Sequence, residues 1–172
     1  MRTMPRLAII ALACTGLAST LTLAGCGGDA PKPARIIETP QEAVSRSGDV
    51  TVRANVVRTD LLNEAMARGY GIARDEGTAL LLVSVRRGPD GQDVAVPAKI
   101  EASVTDLQGR RSTVALRELR TDVPGATPPQ TLIDYIGTTE IHAPDTLRFD
   151  LRVEREDGAR STMQFTREFV AD

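Results

Sequence analysis

The chain is poor in the side chains that most chemistry needs. Its 172 residues hold no tryptophan, two tyrosines, three phenylalanines, one histidine and two cysteines. Without tryptophan, and with so few other rings, a stacking platform for bases or sugars is poorly supplied. The balance of 21 basic and 23 acidic residues, with no basic patch interleaved with aromatics, argues against nucleic acid as a partner. Both cysteines, Cys14 and Cys26, fall near the N-terminus. Everything after them lacks a thiol for a disulfide, a thiolate metal site or a nucleophile. A zinc site draws three or four ligands from Cys, His and carboxylates, and one histidine with no free thiol does not supply it. Calcium takes six to eight oxygens. The two acidic clusters worth weighing, Asp90-Gly91-Gln92-Asp93 and Glu154-Arg155-Glu156-Asp157, coincide with turn signals, where Asp and Gly are expected anyway. No cofactor is expected.

The remaining catalytic signals are equally thin. His142 sits in Ile141-His142-Ala143-Pro144 with Asp145 nearby. No G-x-S-x-G or comparable nucleophile motif accompanies it, so it reads as a surface or turn histidine. The glycines do not form a phosphate cradle, because Gly69-x-Gly71 follows a helical pattern instead of opening one. The chain is therefore expected not to be an enzyme. A hydrolase acting through carboxylates that no motif reveals is the second hypothesis.

What the sequence does contain begins with an address. Arg2 and Arg6 open the chain, the apolar run Leu7–Ala13 follows, and small residues lead to Leu23-Ala24-Gly25-Cys26. Positive start, apolar stretch and small-residue cut are the parts of an export signal. The last four residues resemble the lipobox of bacterial lipoproteins at every position. That resemblance implies cleavage before Cys26 and diacylglyceryl transfer to its sulfur. An uncleaved anchor is the competing reading, but Thr15, Ser19, Thr20 and Thr22 interrupt a stretch already short of the ~20 apolar residues a span needs. With each buried methylene contributing roughly 0.8 kcal/mol, the acyl chains on Cys26 would hold the protein to a membrane. Gly27, where the enteric sorting rule has Asp for inner-membrane retention, favours the outer membrane, with the protein facing the periplasm.

Residues 26–47 read as a tether. Gly27-Gly28-Asp29-Ala30-Pro31-Lys32-Pro33 has linker composition and no apolar period, and the segment could span at most roughly 70 Å. From residue 48 to 172 the period is two. Val50, Val52, Ala54 and Val56 alternate with polar residues. Ala79–Val85 is a continuous apolar run typical of a central strand. Val94 to Val104 alternates without a miss, and Pro97 within it demands an edge or a bulge. Further strands are expected around Ser112–Arg120, over Thr131–Ile141 with an interruption at Gly137, over Leu147–Val153 and over Met163–Phe169. Alternating Arg148, Asp150, Arg152 and Glu154 read as a solvated strand face. One segment departs from the rhythm. Leu61, Leu62, Ala65 and Met66 have helical spacing, with Asp60 as N-cap and Gly69 as the C′ residue. Leu62 and Met66 should then face the core. The expected fold is all-β: an immunoglobulin-like antiparallel sandwich of about seven strands, with one short helix between the first two. An open barrel is the alternative.

The order of several short blocks resembles the proteobacterial family called domain of unknown function 4426. Asn55 and Tyr70-Gly71-Ile72-Ala73-Arg74 come first. Asp106-Leu107-Gln108-Gly109, Arg117-Glu118-Leu119, Tyr135-Ile136-Gly137 and Glu168-Phe169 follow. Together they cover about residues 49–170. The pattern departs at Asp75, where the family has Ser, and at Ala54, where it has Tyr. The resemblance implies a small exported β protein and brings no activity.

The excursion from Asp60 to Gly77 is the one candidate interaction surface, since loops on a rigid sandwich often carry binding. It offers Tyr70, Arg74, Asp75 and Glu76. The structural reading of the same residues has Tyr70 plugging the sandwich end and Arg74 paired with a carboxylate. The functional expectation is a monomeric, non-catalytic binding or assembly module, attached to the membrane through the lipid on Cys26, with an envelope protein as its partner.

Overall fold

The computed structural model describes residues 41–171. The leader, Cys26 and most of the tether lie outside the described residues. Among the described residues, ten strands and one short α-helix run in the order β1 (Ala43–Ser47), β2 (Val50–Arg58), α1 (Glu64–Tyr70), β3 (Thr78–Arg87), β4 (Val94–Ala95), β5 (Ala98–Thr105), β6 (Arg111–Val114), β7 (Arg117–Asp122), β8 (Thr131–Glu140), β9 (Asp145–Arg155) and β10 (Arg160–Phe169). One sheet has the order β1-β2-β3-β8-β7, with β4 pairing on β3. The other has the order β10-β9-β5-β6. All pairs are antiparallel. The fold is an open all-β sandwich, as expected.

Period two builds the core. In β3, Ala79, Leu81, Val83 and Val85 turn inward and are fully buried. In β9, Leu147, Phe149, Leu151 and Val153 do the same from the facing sheet. Phe149 stacks on Phe165 of β10 with ring centroids 5.2 Å apart and planes 8° from parallel. With no disulfide available to this region, burial of this kind and the ladder hydrogen bonds hold the domain.

Three differences account for ten strands where about seven were expected. β1 lies inside the stretch read as tether; it carries one exposed valine, Val44, and too little apolar pattern to signal a strand. A tight turn at Gly48 (φ 63°) folds it back on β2. The other two differences share one cause. The run from Val94 to Val104 is not one strand: it leaves the first sheet at Ala95, turns at Val96-Pro97, and enters the second as β5. The strand expected around Ser112–Arg120 likewise divides at Ala115-Leu116, with β6 in the second sheet and β7 in the first.

The second switch explains Gly137. The strand β8 is continuous through that residue. The crossing chain lies so close that a Cβ there would stand 2.5 Å from the Ala115 carbonyl oxygen and 3.0 Å from Leu116 Cδ2. Glycine is needed for close backbone approach, not to end the strand. The first switch is tied by Tyr135. Its hydroxyl accepts the Ala98 N–H at 2.8 Å and donates to Glu118 Oε2 at 3.3 Å. Burial, with Glu118 close by, raises the tyrosine pKa.

Candidate functional site

The excursion between β2 and β3 covers the outer face of the first sheet. Leu80 and Ile136, on the opposite side of their strands from the main core, are buried beneath Leu62 and Ala67. Val57, Leu82, Leu119, Tyr70 and Ile72 pack around them, half-buried. This is why Ala79–Val85 is apolar without alternation: β3 is buried on both faces. It also corrects the placement of Tyr70, which packs against a sheet face and does not plug the sandwich end.

The helix starts later than its spacing suggested. Asn63 is the N-cap, its side-chain oxygen accepting the Met66 N–H at 2.8 Å. Asp60 is instead held by Arg58, whose Nε and Nη2 donate to its two carboxylate oxygens at 3.0 and 2.7 Å. A short 3₁₀ turn, Thr59–Leu61, precedes the helix. At the far end the left-handed residue is Gly71 (φ 60°, ψ 37°), not Gly69. The shift rotates the buried face. Leu62 is buried, as expected, but Met66 is 43% exposed, and Ala67 takes the inward position.

Tyr70, Arg74 and Asp75 are each held by hydrogen bonds, and Glu76 is exposed. Arg74 Nε and Nη2 donate to the Asp60 carbonyl at 3.2 and 2.5 Å, so its partner is a backbone oxygen and not a carboxylate. The Asp75 N–H donates to Thr59 Oγ1 at 2.9 Å, and that hydroxyl donates back to the Asp75 carbonyl at 3.0 Å. The Asp75 carboxylate accepts the Gly77 N–H at 2.8 Å and the Thr78 hydroxyl at 3.1 Å. The carbonyl of Tyr70 accepts from Arg117 Nη2. A guanidinium at a helix C-terminus satisfies an orphan carbonyl and complements the negative end of the dipole.

The blocks that carried the family resemblance converge on the same architecture. Arg117 reaches the helix end, Glu118 reaches Tyr135, Gly137 admits the crossing chain, and Gly71 terminates α1. Asp106 to Gly109 is the β5–β6 turn: Asp106 Oδ1 accepts the Gln108 and Arg110 N–H groups, each at 2.9 Å, and Gly109 has φ 81°. Phe169 is buried. These residues build the fold.

The remaining candidates are occupied or exposed. His142 is exposed in the turn after β8. It lines a groove of about 570 Å³ with Glu140, Asp145 and Arg110, but Asp145 Oδ1 accepts the N–H of Thr146, next to it in the chain, at 2.7 Å. In the acidic turns, Asp90 is paired with Arg46 and Arg53 at 2.9 and 2.8 Å, and Asp157 with Arg87 at 3.2 Å. The Ala159 N–H, with Arg155 and Arg87, holds the Asp157 carboxyl below its ordinary pKa. Among the described residues, no group of three or more His, Cys, Asp or Glu is placed to hold a metal ion.

One surface was not recognised as such in the sequence. Among the described residues, no helix lies over the outer face of the second sheet, and the outward positions of its strands are polar. Register aligns Thr162, Arg152 and Glu101 in one row and Gln164, Asp150, Ser103 and Thr113 in the next. Gln164 Nε2 donates to Asp150 at 2.6 Å, and Arg111 Nη2 to Ser103 Oγ at 2.6 Å. A groove of about 640 Å³ runs across these rows. Alternation within β9 revealed its share of this face. The alignment with β5, β6 and β10 depends on strand pairing, which periodicity does not encode.

The fold and these interactions define a small all-β sandwich with one helix-bearing excursion. Residues 44–172 match the family described as "Domain of unknown function (DUF4426)", and the chain belongs to that family. It is similar to the crystal structure of a DUF4426 family protein from Pseudomonas aeruginosa PAO1, with 27% sequence identity and a TM-score of 0.57 over 76% of this chain and 96% of that one. No curated protein matches the chain.

Proposed function

We propose that the protein is a lipid-anchored envelope module that binds or assembles with another envelope protein and has no catalytic chemistry of its own. The observation that carries this reading is the leader ending in Leu23-Ala24-Gly25-Cys26, whose four-residue box is what a lipoprotein signal peptidase accepts. Diacylglyceryl transfer to the Cys26 sulfur, followed by cleavage before that residue, would hold the domain at the outer membrane, facing the periplasm. The non-catalytic part is supported by where the polar groups are used. The carboxylates and arginines that could perform chemistry are largely committed to turns, caps and ion pairs.

The test is metabolic labelling with a radioactive or clickable fatty acid. Wild type should take label and fractionate with the outer membrane. Cys26→Ser should take none and accumulate as precursor. A wild type without label, together with a variant that is processed normally, would end the lipoprotein reading. In-cell crosslinking followed by mass spectrometry should then recover a defined envelope partner.

A further inference from the structure

The excursion is fastened unequally along its length. Its base is a clasp: Thr59, fully buried, exchanges two hydrogen bonds with the Asp75 backbone, and Arg74 holds the Asp60 carbonyl. Beyond the clasp, residues 61–73 are attached by little. Only Leu62 and Ala67 of that segment are buried, while Tyr70 and Ile72 are half-buried. A seven-residue helix is too short to persist without docking. Among the described residues, its one bond to a strand through a side chain is the contact of Arg117 with the Tyr70 carbonyl. Leu61 and Met66, on the outward side, are 60% and 43% exposed.

We propose that residues 61–73 form a lid that opens as a unit about the 59–60/74–75 clasp, with Arg117 as its latch. The lid covers an apolar stripe made by Val57, Leu80, Leu82, Leu119 and Ile136. Opening costs the burial of Leu62 and Ala67, the partial burial of Tyr70 and Ile72, the cover over Leu80 and Ile136, and one latch, whereas opening the strands beneath costs ladder hydrogen bonds and the main core as well. Local opening of weakly attached segments, far below the global unfolding free energy, is the usual outcome of such a difference. Gly71, already in the left-handed region, lies at the end of α1 next to the latched carbonyl, so the latch acts where the helix leaves its docked path. The lid decides when the sheet's apolar face is bare.

The test is hydrogen–deuterium exchange on the full chain as cells process it, solubilised in mild detergent. The amides of Ala67, Gly71 and Ile72 donate to Asn63, Arg68 and Ala67 carbonyls and report the closed lid. They should exchange about a hundredfold faster than the central amides of β3 and β8, and independently of low denaturant. Arg117→Ala, an exposed edge-strand change, should speed them about tenfold further and leave β3 and β8 unchanged. Thr59→Val should extend the fast region to residues 59–77, because it removes both Thr59–Asp75 bonds of the clasp and leaves only Arg74 on the Asp60 carbonyl. Exchange of 61–73 only together with β3, with the same denaturant dependence, would overturn the proposal. So would an Arg117→Ala variant whose lid amides exchange as in wild type.

Discussion

The two outer faces of the sandwich are built from the same period-two alternation and end differently. On the first sheet, the outward positions of the central strands are apolar at Leu80, Leu82 and Ile136, and α1 lies over them. On the second, the outward positions are Lys99, Glu101 and Ser103 in β5 and Asp150 and Arg152 in β9, and they line open grooves with no helix of the described residues over them. The first face contributes to stability through burial. The second is solvated, and its side chains are mostly irrelevant to folding. A face that folding does not require is free to be shaped for recognition, whereas the covered face changes only with its cover.

The sharpest test of this contrast is at the cover itself. Leu62→Ala should cost about 2–5 kcal/mol, because it empties a buried position above Leu80 and Ile136. Met66→Ala, four residues along the same segment, should change stability by less than about 0.5 kcal/mol. Urea titration of the two variants gives both numbers. Equal losses would mean that α1 is rotated from its described orientation.

Gly137→Ala should come next, at about 1–3 kcal/mol. The added methyl would meet the Ala115 carbonyl and Val114 Cγ1, 2.5 and 3.1 Å away. Neither is the loose end of a flexible side chain. Gly125→Ala, at a loop position with nothing within 4 Å but φ 75°, is a control that isolates backbone strain from collision. A Gly137 variant as stable as wild type would show that the sheet switch can move aside.

Much of the sandwich was legible because strand period is local. The inward sets of β2, β3, β9 and β10 can be read directly from Val50–Val56, Ala79–Val85, Leu147–Val153 and Met163–Phe169. Sheet membership was not legible. Alternation continues through Pro97, and the apparent strand around Ser112–Arg120 runs through Leu116, so each stretch read as one strand although its halves belong to different sheets. A proline in an alternating run signals an edge or a bulge; here Pro97 instead lies at the turn where the chain changes sheet, and β5 beyond it is an interior strand. The helix was read about three residues early because both Asp60 and Asn63 are good caps, and the choice between them is made by Arg58, which takes the Asp60 carboxylate. Tyr70, Arg74 and Asp75 stand out in the sequence because they lie on the excursion that breaks the strand rhythm, and loops on a rigid sandwich often carry binding. Their hydrogen bonds to Thr59, Asp60, Gly77 and Arg117 depend on the chain returning on itself, which spacing does not reveal.

A smaller effect separates two aspartates on opposite sides of the contrast between buried and exposed. Asp134, on the covered sheet beside Arg86 at 3.1 Å, has its carboxyl raised above the ordinary value by burial, with Arg86 opposing. Asp157, in an exposed turn, is lowered. A raised folded-state pKa means that the Asp134 contribution is fully present below the unfolded pKa and is lost as pH rises through the folded value. For Asp157 the sign reverses: its contribution is present above the unfolded pKa and is lost as pH falls through the folded value. Carboxyl-carbon NMR titration should place Asp134 above Asp157. The stability difference between wild type and Asp134→Asn should shrink with rising pH across that range. The opposite order would mean that Arg86, and not burial, controls Asp134.

The smallest expected effect on stability bears most on function. Arg152 stands in the middle of the bare face, exposed, in register with Thr162 on one side and Glu101 on the other. It contributes nothing to the core, so Arg152→Ala should leave the melting temperature within about a degree or two, in keeping with a stability change within about 0.5 kcal/mol. If the bare face recognises the envelope partner, the same variant should lose crosslinked partner yield without losing stability. Arg74→Ala provides the comparison from the other region. It removes the bonds to the Asp60 carbonyl, so it should cost about 0.5–1.5 kcal/mol, and any loss of partner yield should follow that loosening of the excursion. Thermal stability and crosslinked yield measured on both variants separate the possibilities. Loss of yield at unchanged stability for Arg152 alone assigns recognition to the second sheet. Loss at Arg74 alone returns it to the excursion. Unchanged yield in both removes both faces from the interaction and leaves the strand edges to be tested.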